Sequence, residues 1–229
     1  MAASIRERAI NLAMFAFLAA APTIALADKP GATINAGRLE YHSFGGVVTV
    51  LASGTDLQSP ALSPNGRTVA YIRAVKPENS DREGVAELWI ADGPTGRSHR
   101  LVEPHAAGDP KANMQWFDRP VFSADGKFVY VSALAWGDEN AVHAVETRTG
   151  REHYVVDGDV DAVIRNGPYK GDLLVARHTP MPPPKTGYHY PFYVVRPDGS
   201  IRMRVPSMDG DDSHVQVEKW LALHGWAAW

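Results

Sequence analysis

Cysteine is absent from all 229 residues, which removes disulfides, thiol nucleophiles and every cysteine-based metal site at once. A mature chain of roughly 200 residues buries enough apolar surface to fold without covalent staples. A basic surplus is missing too. The formal net charge is −3, so the chain carries no electrostatic footprint for nucleic acid. No glycine-rich loop leads from a strand into a helix, so nucleotide binding has no support. No Gly-x-Ser-x-Gly elbow occurs, and without that nucleophile Asp209 and His214 have nothing to activate as acid and base. No apolar run reaches the roughly 20 residues that cross a bilayer. The apolar run over residues 9–21 follows Arg6 and Arg8 and precedes Ala25-Leu26-Ala27, the small-x-small pattern of a cleavage site. Residues 1–27 are therefore expected to be a signal peptide, with a mature chain from Asp28 that is periplasmic or secreted and has no membrane-spanning segment. No Arg-Arg pair is present, which favours the general secretory route.

What is present is a phrase said twice. Ser59-Pro-Ala-Leu-Ser-Pro-Asn-Gly-Arg-Thr-Val-Ala-Tyr71 returns as Arg119-Pro-Val-Phe-Ser-Ala-Asp-Gly-Lys-Phe-Val-Tyr-Val131. Recurrence of proline, serine and glycine at a fixed offset marks a repeat architecture. Strand signals follow each copy in the same order. Residues 68–73, 87–91 and 99–102 follow the first, with a Thr95-Gly96 turn. Residues 127–132, 142–146 and 152–156 follow the second, with a Thr149-Gly150 turn. A degenerate third copy fits residues 160–165, 172–177, 192–196 and 201–205. Upstream, residues 38–42 and 47–51 around Gly45-Gly46 read as the outer two strands of such a unit. Asn65-Gly66 and Asp125-Gly126 suit a tight reversal, and Ser63 and Ser123 are placed to bond backbone amides at the strand end.

Four-stranded antiparallel units in series predict a β-propeller, in which radial packing hides most sheet edges. The cores Pro60 to Arg67 and Pro120 to Lys127 resemble the repeat of the TolB-like propeller family, Pro-x-x-Ser-Pro-Asp-Gly-Lys, with Asn65 and Ala124 as departures. The likeness is strong over residues 58–158 and weak elsewhere. It implies an all-β fold, a small or partial propeller of about three and a half blades over residues 28–229. It does not imply one activity. Three and a half units either close as a small four-bladed ring or stay open, and an open ring leaves a strand edge unpaired, which predicts self-association or a partner that adds pairing. The period changes at the end. Ser213 with Gln216 forms a capping box behind Asp211 and Asp212, and Val217, Trp220, Leu221 and His224 share a face before Gly225, giving a short helix over 213–225 that caps the core or plugs the open side.

Connections within each unit are unequal. The first-to-second and third-to-fourth turns are tight, whereas residues 74–86, 133–141 and 179–191 read as long loops that emerge on one side of the ring. Function in repeat folds gathers on such a face. Trp116, Asp118, Arg119, Trp136, Tyr188 and Tyr190 form the expected contact set, because rings flanked by charges suit protein or peptide recognition. The competing assignment makes Trp116 and Trp136 seals between blades. Asp138 and Glu139 belong to the same face. The proline tract at 180–184 reads as a stiff spacer that lifts Tyr188 and Tyr190 off the sheet.

Metal readings are weaker. His99 and His153 occupy equivalent outer positions, too far apart to share an ion, and His178 and His189 bracket the third loop without a third ligand. Asp157-Gly-Asp-Val-Asp161 opens like a calcium loop but lacks its glycine and its closing glutamate. No cofactor is expected, with calcium left open because the propeller resemblance includes channel ions. The expected function is that of an exported, non-catalytic binding or scaffold protein. The alternative is a metal-dependent propeller hydrolase or lactonase that uses axial carboxylates such as Asp118.

Overall fold

The computed structural model describes residues 29–75, 85–136, 139–181, 183–206 and 214–228. The expected signal segment, Asp138, Asp209 and the capping residues Asp211, Asp212 and Ser213 lie outside the described residues.

Strands follow the chain in order. The first sheet holds β1 (Gly31–Asn35), β2 (Arg38–His42) and β3 (Val48–Ser53). The second holds β4 (Leu57–Leu62), β5 (Thr68–Val75), β6 (Val85–Asp92) and β7 (Ser98–Val102). The third holds β8 (Gln115–Phe122), β9 (Phe128–Trp136), β10 (Glu139–Glu146) and β11 (Glu152–Asp157). The fourth is built from β12 (Asp159–Val163) and β13 (Leu173–Ala176), then β16 (Phe192–Val195) and β17 (Ile201–Arg204), with the short hairpin β14 (Thr179–Pro180) and β15 (Tyr188–His189) between its middle strands. One helix, α1 (His214–Leu223), follows. This is the expected partial propeller, and the first unit gains a strand, β1, that the sequence reading did not assign.

Alternation makes the seams. Each strand turns one side to the preceding sheet and the other to the next, so the middle strands are apolar on both sides. In the third sheet Val129, Val131 and Val145 join Ile72, Leu88 and Met114 of the second-to-third seam. Tyr130, Val142 and Ala144, on the opposite side, join Val160, Leu173 and Val175 of the fourth sheet. Burying each of these larger side chains stabilises by about 1.5–3 kcal/mol. The far side of the fourth sheet packs Leu174, Phe192 and Val194 against Val217, Trp220 and Leu221 of α1. The helix therefore occupies the side that a further blade would cover. Among the described residues the apolar clusters join consecutive sheets and the last sheet to the helix, and none joins the first sheet to the fourth, as in a partial propeller.

Turn chemistry repeats with the sheets. Ser63 Oγ accepts from Thr68 N at 2.9 Å, and Ser123 Oγ accepts from Phe128 N at 3.0 Å. The outer turns add a second constraint. Gly150 has a φ of 70°, and a Cβ there would lie 2.4 Å from the Leu101 carbonyl oxygen of the preceding sheet's outer strand. Gly199 sits in the same way on Val155 of β11, whereas a Cβ at Gly96 would meet the Thr49 methyl of β3 at 3.3 Å and the Val50 carbonyl oxygen at 3.5 Å. The turns at Gly150 and Gly199 need glycine both for conformation and for close approach.

Candidate recognition face

Antiparallel pairing fixes which ends share a side. β9 ends and β10 begins beside the start of β8, Asp157 of β11 pairs next to that end, and Gly158 leads at once into β12. Residues 177–191 leave from the same end of the fourth sheet, because Asp159 pairs with Ala176. The connection expected over residues 133–141 is a correction. Those residues are mostly strand, Trp136 pairs with Glu139, and only two residues separate β9 from β10. The third long connection carries the short β14–β15 hairpin, with Thr179 opposite His189. Residues 76–84 of the first long loop lie outside the described residues.

Two constellations stand on this face. The first follows the axis along the inner strands. Asp118 accepts from the Arg119 backbone N at 2.7 Å and from Ser59 Oγ at 3.5 Å. Arg119 Nη1 reaches Asp161 Oδ1 of the fourth sheet at 3.3 Å, and His214 Nδ1 of α1 stands 3.3 Å from the other oxygen of that carboxylate. Burial pushes the Asp161 carboxyl above its ordinary value, while His214 and Arg119 pull it back. Ser59 and Arg119, matched in the repeated phrase, both take a φ of 48° although each precedes a proline. A left-handed residue before proline is a sparsely populated state, costing about 1–3 kcal/mol. The strands bulge at these positions, where pairing skips from Gln58 to Ala61 and from Asp118 to Val121.

The second constellation lies between the third and fourth sheets. His178 Nδ1 stands 2.9 Å from Glu139 Oε1. Its ring lies 3.9 Å from that of Tyr188 and stacks on Tyr190 at 5.2 Å and 11°. Tyr188 and Tyr190 are nevertheless 55% and 54% exposed. Beside them is a cleft of about 80 Å³ lined by Glu139, Asn140, Asp157, Asp159, Arg177 and His178. Asn140 Nδ2 donates to Asp159 at 2.7 Å, Arg177 lies 3.8 Å from Asp157, and Tyr154 donates its hydroxyl to Asp157. A larger hollow of about 310 Å³ opens on the opposite, tight-turn side, lined by Thr68, Asp92, Arg97, His99, Gly126 and Thr147. Its carboxylate, Asp92, is engaged by the Thr95 backbone N at 2.9 Å.

The expected contact residues are thus divided. Asp118 and Arg119 join the axial group, and Tyr188 and Tyr190 meet around His178. Trp116 stands on β8 with a φ of 54°, and half-buried Trp136 closes the β9–β10 hairpin. Arg177, Asp161 and His214 join these groups although they are not among the expected contact residues. The three carboxylates of the calcium-like stretch have separate partners: Tyr154 and Arg177 for Asp157, Asn140 for Asp159, Arg119 and His214 for Asp161. Among the described residues no three His, Asp or Glu side chains converge as a metal site would require.

No family model matches the chain, and no curated protein matches it. Solved structures do. Dipeptidyl peptidase 4 of Porphyromonas gingivalis superposes with a TM-score of 0.54 at 10% identity, over 79% of this chain and 31% of that one. The β-propeller domain of the trilobed protease from Pyrococcus furiosus, described as having an open velcro topology, gives 0.50 at 13% identity over 78% and 52%. A putative TolB from Agrobacterium tumefaciens gives 0.45 at 16% identity over 72% and 54%. At these identities the likeness is one of fold: the chain is built of propeller blades and spans about a third and about half of the two peptidase structures.

Proposed function

We propose that the chain is an exported binding module that captures a protein or peptide segment on the face carrying Tyr188, Tyr190 and the adjoining cleft. One observation carries this reading. Two tyrosines are more than half exposed yet held in place by His178, which Glu139 anchors in turn. Ordered, solvent-facing rings bury large area at small entropic cost when a partner arrives. The polar cleft beside them supplies donors from Arg177 and acceptors from Asp157 and Asp159. Trp136 flanks this group through its pairing with Glu139. The hydrolase alternative relied on Asp118, whose carboxylate is engaged by the Arg119 amide and Ser59 and lies 3.6 Å from the Arg119 guanidinium. That engagement favours a structural part for it.

The test is capture from the envelope fraction of the source cells with the tagged chain and with the Tyr188→Ala/Tyr190→Ala variant. Loss of a specific partner with an unchanged melting temperature supports the reading. Equal capture by both proteins removes the tyrosines from it.

A further inference from the structure

The cleft beside Tyr190 is electrically unbalanced. Glu139, Asp157 and Asp159 stand in its wall, and Arg177 is the one lining side chain of fixed positive charge. Arg177 does not serve all three carboxylates. Its Nη2 lies 3.8 Å from Asp157, and its guanidinium stands over the Tyr193 ring at 5.7 Å, so its charge is committed to the Asp157 side. Asp157 also accepts from the Tyr154 hydroxyl. Asp159 accepts from the neutral amide of Asn140 at 2.7 Å, and Glu139 meets the His178 ring at 2.9 Å. Among the described residues no lysine or arginine is ion-paired with Asp159 or Glu139.

The wall selects its guest by charge. An anion entering the cleft would meet three carboxylates and a guanidinium already engaged, and like charges brought together in a concave site repel. A wholly apolar group would strip water from Asp159 and Glu139 and return no hydrogen bond. A cation answers both carboxylates at once. Tyr190 lines the same cleft and is stacked on His178, yet more than half of it is open. An open tyrosine ring face attracts a cation. At about 80 Å³ the cleft takes a charged head group and leaves the apolar stem of a long side chain to lie along the rings.

We infer that this cleft receives a basic side chain, lysine or arginine, of the captured segment, with the head group at Asp159 and Glu139 and the stem along Tyr190. The inference rests on the reading of this face as a peptide-binding one and adds what the peptide must carry.

Titration of the full chain, followed by NMR of the Tyr188 and Tyr190 rings, tests it. The probes are five-residue alanine peptides with blocked ends that carry arginine, lysine, citrulline or glutamate at the centre. Citrulline keeps the shape of arginine without its charge. The arginine or lysine peptide shifts the ring signals and binds roughly fivefold or more tighter than the citrulline peptide, and this advantage shrinks as salt is raised. Asp159→Asn keeps an oxygen for the Asn140 amide, removes the charge and abolishes the advantage at an unchanged melting temperature. Glu139→Gln is the second variant if the first melts early. Equal affinity for the arginine and citrulline peptides, a preference for glutamate, an arginine preference retained in both variants, or no binding by any peptide overturns the inference. Binding that ignores charge but is lost in Tyr188→Ala/Tyr190→Ala overturns the basic side chain and keeps the face. Envelope capture unaffected by that tyrosine variant removes the face itself.

Discussion

Arg119 of the third sheet and Asp161 of the fourth form an ion pair across the axis, 3.3 Å from Nη1 to Oδ1, and the two ends of that pair are unequally exposed. The arginine side chain is 51% exposed and the aspartate only 10%. The pair joins the inner strands of the two sheets, and His214 extends it to α1.

Their inequality sets the direction of two substitutions. Replacing Arg119 by Met leaves a buried carboxylate with His214 alone and is expected to cost about 1–3 kcal/mol. Replacing Asp161 by Asn removes a charge that burial already disfavours, and its net cost is expected to be below about 1 kcal/mol. The raised carboxyl means that any contribution of Asp161 protonation is fully present below its unfolded pKa and is lost as pH rises through the folded one. Urea melts of R119M, D161N and the double variant at pH 5 and pH 7 check this, with the double variant more stable than R119M.

His143 gives acid sensitivity of the opposite sign. It is 1% exposed, and neither ring nitrogen has a hydrogen-bond partner. Burial, aided by His105 and His153, lowers its pKa to about 4. The unfolded chain takes up this proton near pH 6.5 and the folded chain only near 4, so stability is complete above about 6.5 and falls as pH drops between those values. The loss is on the order of 3 kcal/mol. His143→Phe is expected to flatten that part of the stability profile, measured by denaturant unfolding from pH 7.5 to pH 4.

How far these features can be read beforehand depends on the range of the interaction. The tight turns were legible because Ser63, Asn65 and Gly66 act on their own backbone, and the same chemistry recurs at Ser123, Asp125 and Gly126. β1 escaped notice because Gly31 to Asn35 is short and weakly alternating, and its place is fixed by pairing with β2. Residues 133–141 read as a loop because Ala133, Leu134 and Ala135 are poor strand formers alone, though pairing with β10 extends β9 through them. Arg119, Asp161 and His214 come from two sheets and a helix, and no local pattern announces their meeting. Tyr188 and Tyr190 were legible as exposed rings, but their anchor, His178 with Glu139, is a tertiary contact.

The two kinds of inner and outer turn should respond differently to one methyl group. A Cβ at Gly126 would find its nearest neighbour, Pro64 Cδ, at 3.8 Å, so Gly126→Ala carries only the positive-φ penalty of about 1 kcal/mol. At Gly150 the same Cβ meets the Leu101 carbonyl oxygen at 2.4 Å, and backbone must move between sheets. Gly150→Ala is expected to cost roughly 2 kcal/mol more than Gly126→Ala. Thermal melts of the two variants check it, and equal losses would mean that the sheets do not press together at this turn.

The helix substitutes for a blade, so its removal should resemble the loss of one. Trp220 is 7% exposed and packs with Tyr169, His224 and Trp226 at ring distances of 6.3, 5.5 and 5.2 Å. Trp220→Ala is expected to cost about 3–5 kcal/mol through the cavity it opens. Ending the chain at residue 206 does more, because it bares Ile164, Leu174, Phe192 and Val194 together on one side of the fourth sheet. Contiguous apolar patches of that kind drive association. Light scattering should therefore show the truncated chain aggregating at concentrations where the full chain does not, while W220A remains dispersed but melts earlier. A truncated chain as stable and as soluble as the full one would show that the exposed side of the fourth sheet needs no cover.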